Sequence, residues 1–361
     1  MPKNKIRLAG VALLSTSVLL AGCGLFGGDE KEDLDPPQEV TYVEEEQQGE
    51  QVTENGEVNE EQESEETAEA VERVLYLIDK NGMVVPQSLP LPQTQEVAKQ
   101  VVEYLVVDGP VSNVLPNGFR AVIPQGTIVQ GVNIKEDGTA IVDFSKEFSD
   151  YKPEDEQKIL QAVTYTLTQF ENVQKVKLWI NGHELTEMPV NGTPIGEGVS
   201  REDGINMISS SVLDITNTRP LTVYYAAEND GQVYYVPVTK RVSNEQQDSV
   251  EAAVQALIEG PSLTSGLLTE FQSDVKLIES PEYKDGVVTL NFNEAIFSSF
   301  DEEKKMISEH TLNALVLTVT EQPEIESVVI QVNGESDLQT EEGKALSEPV
   351  VRPEKVNTGS F

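Results

Sequence analysis

The stretch VLYLIDKNGMVVP, residues 74–86, guides the interpretation of the chain, because a related stretch, LTVYYAAENDGQVYYVP, recurs at residues 221–237. In both stretches, two runs of aliphatic and aromatic residues flank an Asn-Gly or Asp-Gly pair. Such residues favour strands, and Asn-Gly or Asp-Gly between apolar runs is a strong signal for a β-hairpin. The sequence therefore predicts two copies of one hairpin.

A helical pattern follows each predicted hairpin. Apolar residues recur at helical spacing, namely at Val97, Ala98, Val101, Val102 and Leu105 in the first copy and at Val250, Ala253, Val254, Leu257 and Ile258 in the second. The patterns stop at Gly109-Pro110 and at Gly260-Pro261. Glycine supplies the left-handed cap that ends a helix, and proline prevents its continuation. We therefore predict one amphipathic helix after each hairpin.

A second hairpin, a second helix and a closing strand complete each copy. The second hairpins are predicted over residues 132–144 and 275–292, the second helices over residues 153–170 and 301–320, and the closing strands before Asn181-Gly182 and Asn333-Gly334. The Gly-Pro, Asp-Gly and Asn-Gly pairs of the two copies are offset by 151, 148 and 152 residues. Offsets this similar indicate a tandem duplication. Two helices on one face of a small antiparallel or mixed sheet predict an α+β fold, a two-layer sandwich, in each copy.

The amino terminus has the layout of a secretory signal. Three basic residues precede an apolar run over residues 8–21, which is short for a spanning helix. Leu20-Ala21-Gly22-Cys23 then resembles the bacterial lipobox, in which the cysteine is lipidated and becomes the mature amino terminus. Cys23 is the only cysteine in the chain. We interpret it as the lipidation site, and the alternative is a plain secretory signal or an uncleaved anchor in which the cysteine occurs by chance.

The segment after the predicted anchor is strongly acidic. Residues 29–72 contain 19 acidic residues and one basic residue, out of a net charge of -38 for the whole chain. Because so few apolar residues cannot offset the chain entropy, we predict a disordered linker, and an acidic docking tail for a basic partner is the alternative. The charge also excludes nucleic-acid binding, because phosphates require clustered Lys and Arg.

These patterns divide the chain into six parts. The predicted parts are a lipoprotein signal peptide (1–22), a lipidated cysteine with a disordered acidic linker (23–72), a first module (73–192), a linker rich in Gly and Ser (193–218), a second module (219–351) and a carboxyl-terminal tail (352–361). Because each module contains a whole predicted sheet and two helices, each is expected to fold alone.

No catalytic constellation is visible in the sequence, and we predict no enzyme activity, no cofactor and no metal site. His183 and His310 have neither a cysteine nor a nucleophile motif nearby. We expect His183 in a surface loop and His310 on a half-exposed helix face. Carboxylates are so numerous in this chain that two acidic residues close in sequence do not by themselves indicate a catalytic pair.

Trp179 is the one unusual residue in the closing strand of the first copy. Its neighbours Leu178 and Ile180 match Ile330 and Val332 in the second copy, where Gln331 takes the place of Trp179. Alternation along a strand therefore predicts that Trp179 points away from the core, beside Lys177. We consider Trp179 either an exposed aromatic residue or a contact for the other module or a partner.

The combination of lipobox, acidic linker and duplicated module resembles a family of sporulation and germination lipoproteins with two tandem GerMN modules. The similarity is clearest in YLIDKNG (76–82), GPVSNVLPNGFRAVIPQGT (109–127), GTAIVDFSKEF (138–148), YYVPVTKRV (234–242) and RPEKVNTGSF (352–361). The second copy departs from it, since Glu270-Phe-Gln-Ser-Asp274 replaces the Ile-Pro-x-Gly-Thr element of residues 123–127. The modules are also similar to ring-building motifs of secretion systems.

The resemblance implies a place and a role. The protein is expected on the extracytoplasmic face of the cell membrane, lipid-anchored, and in sporulating cells in the space between mother cell and forespore. There it is expected to assemble or stabilise the transenvelope complex that joins the two cells. Its implied partners are sporulation envelope proteins, the membrane through the lipid anchor, and further copies in a ring. A peptidoglycan-binding module or a wall hydrolase is the alternative.

Overall fold

The computed structural model describes residues 70–207, 217–298 and 305–358. Within this part of the chain, two modules of strands and helices follow one another, so the predicted α+β fold is confirmed. Cys23, the predicted signal peptide and nearly all of the acidic linker lie outside the described residues. The same is true of residues 301–304 in the second predicted helix of the second module.

The first module contains a separate hairpin and a four-stranded sheet. Its elements are β1 (Ala70–Ile78), β2 (Val84–Pro92), α1 (Val97–Glu103), β3 (Val129–Ile134), β4 (Thr139–Phe144), α2 (Glu156–Leu167), β5 (Lys175–Ile180) and β6 (His183–Glu184). Strands β1 and β2 form a two-stranded hairpin, and the other sheet has the order β3-β4-β5-β6. Strands β4 and β5 are parallel, since helix α2 returns the chain between them.

The second module repeats this order with small changes. Its elements are β7 (Thr218–Asn229), β8 (Gln232–Ser243), α3 (Ser249–Glu259), β9 (Glu282–Lys284), β10 (Val287–Phe292), β11 (Met306–Ile307), α4 (Glu309–Val319), β12 (Ser327–Val332), β13 (Gln339–Thr340) and β14 (Val350–Val351). Strands β7 and β8 form the hairpin, and the four-stranded sheet has the order β14-β12-β10-β9. Again the strands on either side of the second helix, β10 and β12, are parallel.

The core of each module lies against its second helix. Ile159, Val163 and Leu167 repeat every fourth residue along α2 and are fully buried. They belong to the same apolar cluster as Val142 of β4 and Leu178 of β5. Burying a side chain of this size contributes about 1.5–3 kcal/mol, so the amphipathic pattern of α2 accounts for how it packs.

The tight turns follow the Asn-Gly and Asp-Gly signals. Asn181 and Gly182 have φ angles of 49° and 78°, and Asp230 and Gly231 have φ angles of 51° and 81°. Two successive positive φ angles define the type I′ turn, which Asn-Gly and Asp-Gly adopt at little cost. The predicted turns at these positions are confirmed.

Two predicted elements of the second module are wrong in extent. The strand predicted over residues 275–279 is reduced to a single bridge between Leu277 and Phe292, and the paired strand β9 lies farther on, at Glu282–Lys284. Pro281 lies between them and has no N–H for a ladder hydrogen bond. The helix predicted from residue 301 begins at Glu309, because the Ser308 side chain caps its first turn.

Candidate interaction site between the two modules

Both modules belong to one compact unit, and the two hairpins β1–β2 and β7–β8 meet within it. We call this contact region the seam. Two short segments complete it: residues 201–206, REDGIN, named the first strap, and residues 352–357, RPEKVN, named the second strap. The straps share the pattern Arg-x-x-x-Ile/Val-Asn and are 151 residues apart, which is the offset of the Gly-Pro pairs.

The first strap ends at Asn206, whose side chain lies between one strand of each module. Its Oδ1 accepts a hydrogen bond from the Val84 N–H at 2.8 Å, and its Nδ2 donates to the Val84 carbonyl at 2.7 Å. The same Nδ2 also donates to the Pro237 carbonyl at 2.8 Å. Because Val84 lies in β2 and Pro237 in β8, one side-chain amide joins the two hairpins.

Asn357 of the second strap makes the same contacts with the modules exchanged. Its Oδ1 accepts from the Tyr235 N–H at 2.7 Å, and its Nδ2 donates to the carbonyls of Tyr235 at 2.7 Å and Pro86 at 2.8 Å. Asn206 and Asn357 both have positive φ angles, 48° and 55°, which asparagine tolerates better than most residues. The seam therefore has an approximate two-fold symmetry.

Each strap also crosses to the opposite module through its buried aliphatic residue. Ile205 donates its N–H to the Thr239 hydroxyl at 2.9 Å and accepts from the Thr239 N–H at 2.8 Å. Val356 donates to the Ser88 hydroxyl at 2.9 Å and accepts from the Ser88 N–H at 3.0 Å. Thus the strap that follows the first module binds the second, and the strap that follows the second module binds the first.

The first residue of each strap is an arginine at the carboxyl end of a helix. Arg201 donates to the Thr168 hydroxyl beyond α2 at 3.0 Å, and Arg352 donates to the Thr320 hydroxyl beyond α4 at 3.2 Å. A cation is favourable there because the helix dipole places negative charge at that end. Both arginines also bind one carboxylate, with Arg201 at 2.6 Å and Arg352 at 3.0 Å from oxygens of Glu321.

Glu321 holds the two straps together electrostatically. Burial raises its pKa, but the guanidinium groups of Arg201 and Arg352 and the hydrogen bonds to Glu321 outweigh burial and leave the pKa below its usual range. The ring of Tyr165 lies 4.7 Å from Arg201, and the ring of Tyr224 lies 5.3 Å from Arg352. The cluster thus contains cation–π contacts as well as ion pairs, which suits a joint between modules.

A second buried carboxylate holds the segment that leads to the first strap. Glu156, at the start of α2, accepts hydrogen bonds from the Asn191 N–H at 2.6 Å, the Thr193 N–H at 2.9 Å and the Tyr151 hydroxyl at 2.9 Å. Burial raises its pKa, but these hydrogen bonds and that of the Thr193 hydroxyl lower it to about 2. Glu156 is therefore charged at neutral pH and fixes the path of the chain.

The residues singled out from the sequence lie outside this cluster. Trp179 lies in β5, half-buried, and its indole nitrogen is buried without a hydrogen-bond partner. No hydrogen bond, ion pair or ring contact described above for the seam involves Trp179. His183 is exposed in β6, and His310 is half-buried on α4, with its Nδ1 3.0 Å from the Tyr235 hydroxyl. The predicted role of Trp179 as a partner contact therefore stays a prediction.

Sequence reasoning missed the straps, because residues 193–218 were interpreted as a linker and residues 352–361 as a tail. Ile205 and Val356 are both buried, so neither strap is free in solution. The signal that could have revealed them is the repeated Arg-x-x-x-Ile/Val-Asn pattern at the offset of the duplication.

Two further properties concern the described part of the chain. Within residues 70–207, 217–298 and 305–358, no group of three or more His, Cys, Asp and Glu side chains is placed to hold a metal ion. In the same ranges no helix has the length and apolarity needed to cross a membrane.

Both modules match one known family. Residues 74–186 and 222–337 each match the profile described as Germane, sporulation and spore germination. The chain belongs to the Germane family. Among its relatives, the spore germination protein GerM of Bacillus subtilis (strain 168) is 56% identical over 368 residues, covering 100% of both chains.

The fold of this Germane chain also matches an experimental structure. The structure of the tandem GerMN domains of the sporulation protein GerM from Bacillus subtilis aligns with a TM-score of 0.76 and 60% identity, covering 81% of this chain and 100% of that chain. The Germane chain is therefore a protein with tandem GerMN domains, in a family of sporulation and germination proteins.

Proposed function

We propose that this protein is a non-catalytic, lipid-anchored lipoprotein that is needed for sporulation and for normal spore germination. In this proposal it assembles or stabilises the transenvelope complex between mother cell and forespore. The observation that carries the proposal is the match of both modules, in one chain, to a family of sporulation and germination proteins. The similarity to the spore germination protein GerM over the full length of both chains supports it.

The seam supports a role in assembly rather than in chemistry. Its side-chain amides, arginines and Glu321 are engaged with other groups of the protein, so they hold two modules in a fixed arrangement. A body that presents two modules in one orientation can bind a partner without first ordering a flexible hinge. The faces outside the seam are then the surfaces that meet envelope proteins.

A ring of copies, if one forms, has to use surfaces outside the seam. The contacts of Asn206 and Asn357 relate the two modules by an approximate two-fold axis. An interface of this kind is closed, because the contact patch of each module is already covered by the equivalent patch of the other module. We therefore propose that contacts with envelope proteins or with further copies lie on the four-stranded sheets, including the face that carries Trp179.

The anchor in this proposal is Cys23, the only cysteine of the chain. Two acyl chains suffice for stable attachment to a membrane surface, whereas one binds only marginally. The acidic linker after Cys23 would then hold the modules away from the lipid, because like charges extend the chain and repel an anionic membrane surface.

The experiment that tests this function is affinity purification of the tagged, full-length protein from sporulating cells. We expect envelope proteins of the mother cell–forespore boundary to co-purify with it, and their recovery to fall for Cys23→Ala, which removes the acylation site. Recovery of no envelope protein from cells that contain the lipidated protein would contradict the proposal.

Two parallel assays address the alternative roles. Saturable binding of the purified protein to isolated cortex peptidoglycan would favour a wall-binding module. Turnover of wall fragments in a zymogram would instead identify a hydrolase. Under the proposed function, both assays are negative while envelope proteins co-purify.

A further inference from the structure

A cavity opens between the two straps, where the arginines of the seam are in contact with solvent. Its volume is about 360 Å³, at the lower end of the range for pockets that bind small groups. Arg201 and Arg352 line it with side chains that are 32% and 31% exposed. Among the described residues, Glu321 is the only acidic side chain in its walls. Two cations and one anion therefore line the cavity, which leaves one positive charge in excess.

The excess charge comes from a difference between the two copies of the module. Glu321 follows Thr320, and 152 positions earlier the neutral Gln169 follows Thr168. The amide of Gln169 is bound to the backbone, since its Nε2 donates to the Val74 carbonyl at 2.7 Å and its Oε1 accepts from the Val74 N–H at 3.3 Å. The second module thus contributes a carboxylate to the cluster, and the first module contributes none.

The same difference leaves one of two equivalent tyrosines without a partner for its hydroxyl. Tyr224 donates its hydroxyl to Glu321 at 3.1 Å and accepts a hydrogen bond from Arg352 at 2.9 Å. Its counterpart Tyr76, 148 positions earlier, lines the cavity. The hydroxyl of Tyr76 makes no hydrogen bond with another described group, and it is not fully enclosed by the protein. This hydroxyl is therefore able to donate to a group bound in the cavity.

Tyr76 lies close to both guanidinium groups. Burial lowers the pKa of Arg201 and of Arg352, but neighbouring groups that include Tyr76 and Glu321 outweigh burial and raise it above its usual range. The hydrogen bonds and the ion pair of Arg352 use its two Nη atoms and leave its Nε–H without an acceptor among the described residues. The cavity therefore combines a phenol O–H with a guanidinium N–H as donors.

These donors and this charge fit a carboxylate. A carboxylate oxygen can accept from a guanidinium and a hydroxyl together, as Glu321 does from Arg352 and Tyr224. Its single negative charge balances the excess of one positive charge, whereas a phosphate group carries up to about two at neutral pH. The net charge of -38 does not prevent binding, because exposed charges farther away than about 8 Å are largely screened at physiological ionic strength.

We propose that this cavity binds the carboxylate of an acidic side chain of a partner protein, with Tyr76, Arg201 and Arg352 as the residues that hold it. The bound carboxylate gives Tyr76 the kind of partner that Tyr224 has in Glu321. This contact lies on the solvent side of the seam and adds to the sheet faces proposed above. The inference concerns binding to the purified protein and does not depend on the proposed role in sporulation.

The test uses the full-length protein in detergent, with ¹⁵N-labelled arginine side chains and at constant ionic strength. The Nε–H resonance that disappears in Arg352→Lys identifies Arg352. We expect this resonance to shift saturably with the peptide acetyl-Gly-Glu-Gly-amide. The response to acetyl-Gly-Gln-Gly-amide, which has the same shape without the charge, should be weaker by at least about tenfold.

Tyr76→Phe tests the hydroxyl without removing a contact within the protein. Because this hydroxyl has no partner among the described groups, its loss should leave the denaturant midpoint unchanged. The same substitution should weaken binding of the glutamate peptide by about tenfold, since it removes a hydrogen bond to a charged group. Tyr104→Phe, which changes a half-buried tyrosine outside the cavity, is the matched control and should bind like the wild type.

Four results would overturn the proposal. Equal responses to the two peptides would show that the cavity does not recognise the charge. Unchanged affinity for the glutamate peptide in Tyr76→Phe would remove the hydroxyl from the site. Saturable binding of acetate without binding of the glutamate peptide would make the ligand a small acid rather than a protein side chain. Binding of phosphate as tight as that of the glutamate peptide would show a general anion site without selectivity for carboxylates.

Discussion

Asn206 and Asn357 stand 151 positions apart in the chain and make the same hydrogen bonds with the two modules exchanged. Asn206 binds both the N–H and the carbonyl of Val84, and Asn357 binds those of Tyr235. Each amide then reaches the proline carbonyl of the other hairpin. The duplicated unit therefore includes the strap that joins each module to the other, as well as the module itself.

Removing one of these amides should weaken the seam. Asn357→Ala leaves the N–H of Tyr235 and two carbonyls without their side-chain partner, so we expect a loss of about 2 kcal/mol in the free energy of unfolding. The measurement is chemical denaturation of the purified protein. Asn133→Ala, which changes an exposed residue of β3, is the matched control and should change stability by less than about 0.5 kcal/mol. Equal effects of the two substitutions would show that the seam contributes nothing specific.

Glu321 should be the most sensitive residue of the arginine cluster. Glu321→Gln removes the charge that Arg201 and Arg352 share and leaves two cations close together in a partly buried site. Loss of one member of a fully buried ion pair costs about 3–5 kcal/mol, and we expect a smaller loss of about 2 kcal/mol here because both arginine side chains are partly exposed to water. Glu348→Gln, an exposed residue of the same module, serves as the control in the same denaturation assay. Wild-type stability in Glu321→Gln would contradict the assignment.

Stability should fall in acid through Glu156. The pKa of this carboxyl is about 2 in the folded protein against an ordinary value of 4.5, so the unfolded chain takes up the proton more readily. The contribution of Glu156 is therefore complete above about pH 5 and is lost as the pH falls toward 2. We expect the stability difference between wild type and Glu156→Gln to shrink over that interval. A difference independent of pH would show that the charge of Glu156 is not what holds the Asn191–Thr193 turn.

Trp179 offers a test of the sheet face outside the seam. We expect Trp179→Ala to weaken the proposed recruitment of the protein to the forespore septum, while it changes the free energy of unfolding by less than about 2 kcal/mol because Trp179 is only half-buried. Fluorescence microscopy of sporulating cells and denaturation of the purified protein give the two readouts. Severe destabilisation would place Trp179 in the core, and normal recruitment with normal stability would remove it from the interaction surface.

The sequence was sufficient to predict those parts of the fold that depend on local pattern. Alternation and the Asp-Gly and Asn-Gly pairs predicted the hairpins, and helical spacing around Val101 and Val254 predicted the first helices. The extent of an element was less predictable where it depends on one residue, as with Pro281 before β9 and Ser308 before α4. Pro281 has no N–H for a ladder hydrogen bond, and Ser308 caps the helix, and neither effect is visible in the periodicity of apolar residues.

The candidate site was less accessible to sequence reasoning. The residues that form the seam, such as Arg201 and Asn357, lie in stretches whose composition is typical of linkers and tails. Their role depends on partners more than 100 residues away, for example Glu321 for Arg201 and Pro86 for Asn357. Only the recurrence of Arg-x-x-x-Ile/Val-Asn at the offset of the duplication carries this information locally.

Autonomous folding of each module, which the sequence led us to expect, stays a prediction, and the seam leads us to expect strong coupling in the intact chain. Val85 of the first module belongs to the apolar core of the second, and Phe119 packs against the cores of both modules. Shared core residues and exchanged straps make it costly to unfold one module while the other stays folded. The intact chain should therefore unfold in one transition.

Coupling of the two modules through the seam can be measured with Trp179, the only tryptophan of the chain, as a probe of the first module while the second is destabilised. Ile330→Ala removes a buried side chain from β12 of the second module, which typically costs about 2–5 kcal/mol. The second module is followed by a fluorophore attached at the exposed position 263, in a Cys23→Ala, Leu263→Cys background. If the seam couples the two modules, Ile330→Ala lowers the denaturant midpoint reported by Trp179 fluorescence together with the midpoint reported by this fluorophore. A Trp179 midpoint that stays at its original value while the Leu263 midpoint falls would show that the modules unfold independently and that the seam does not couple them.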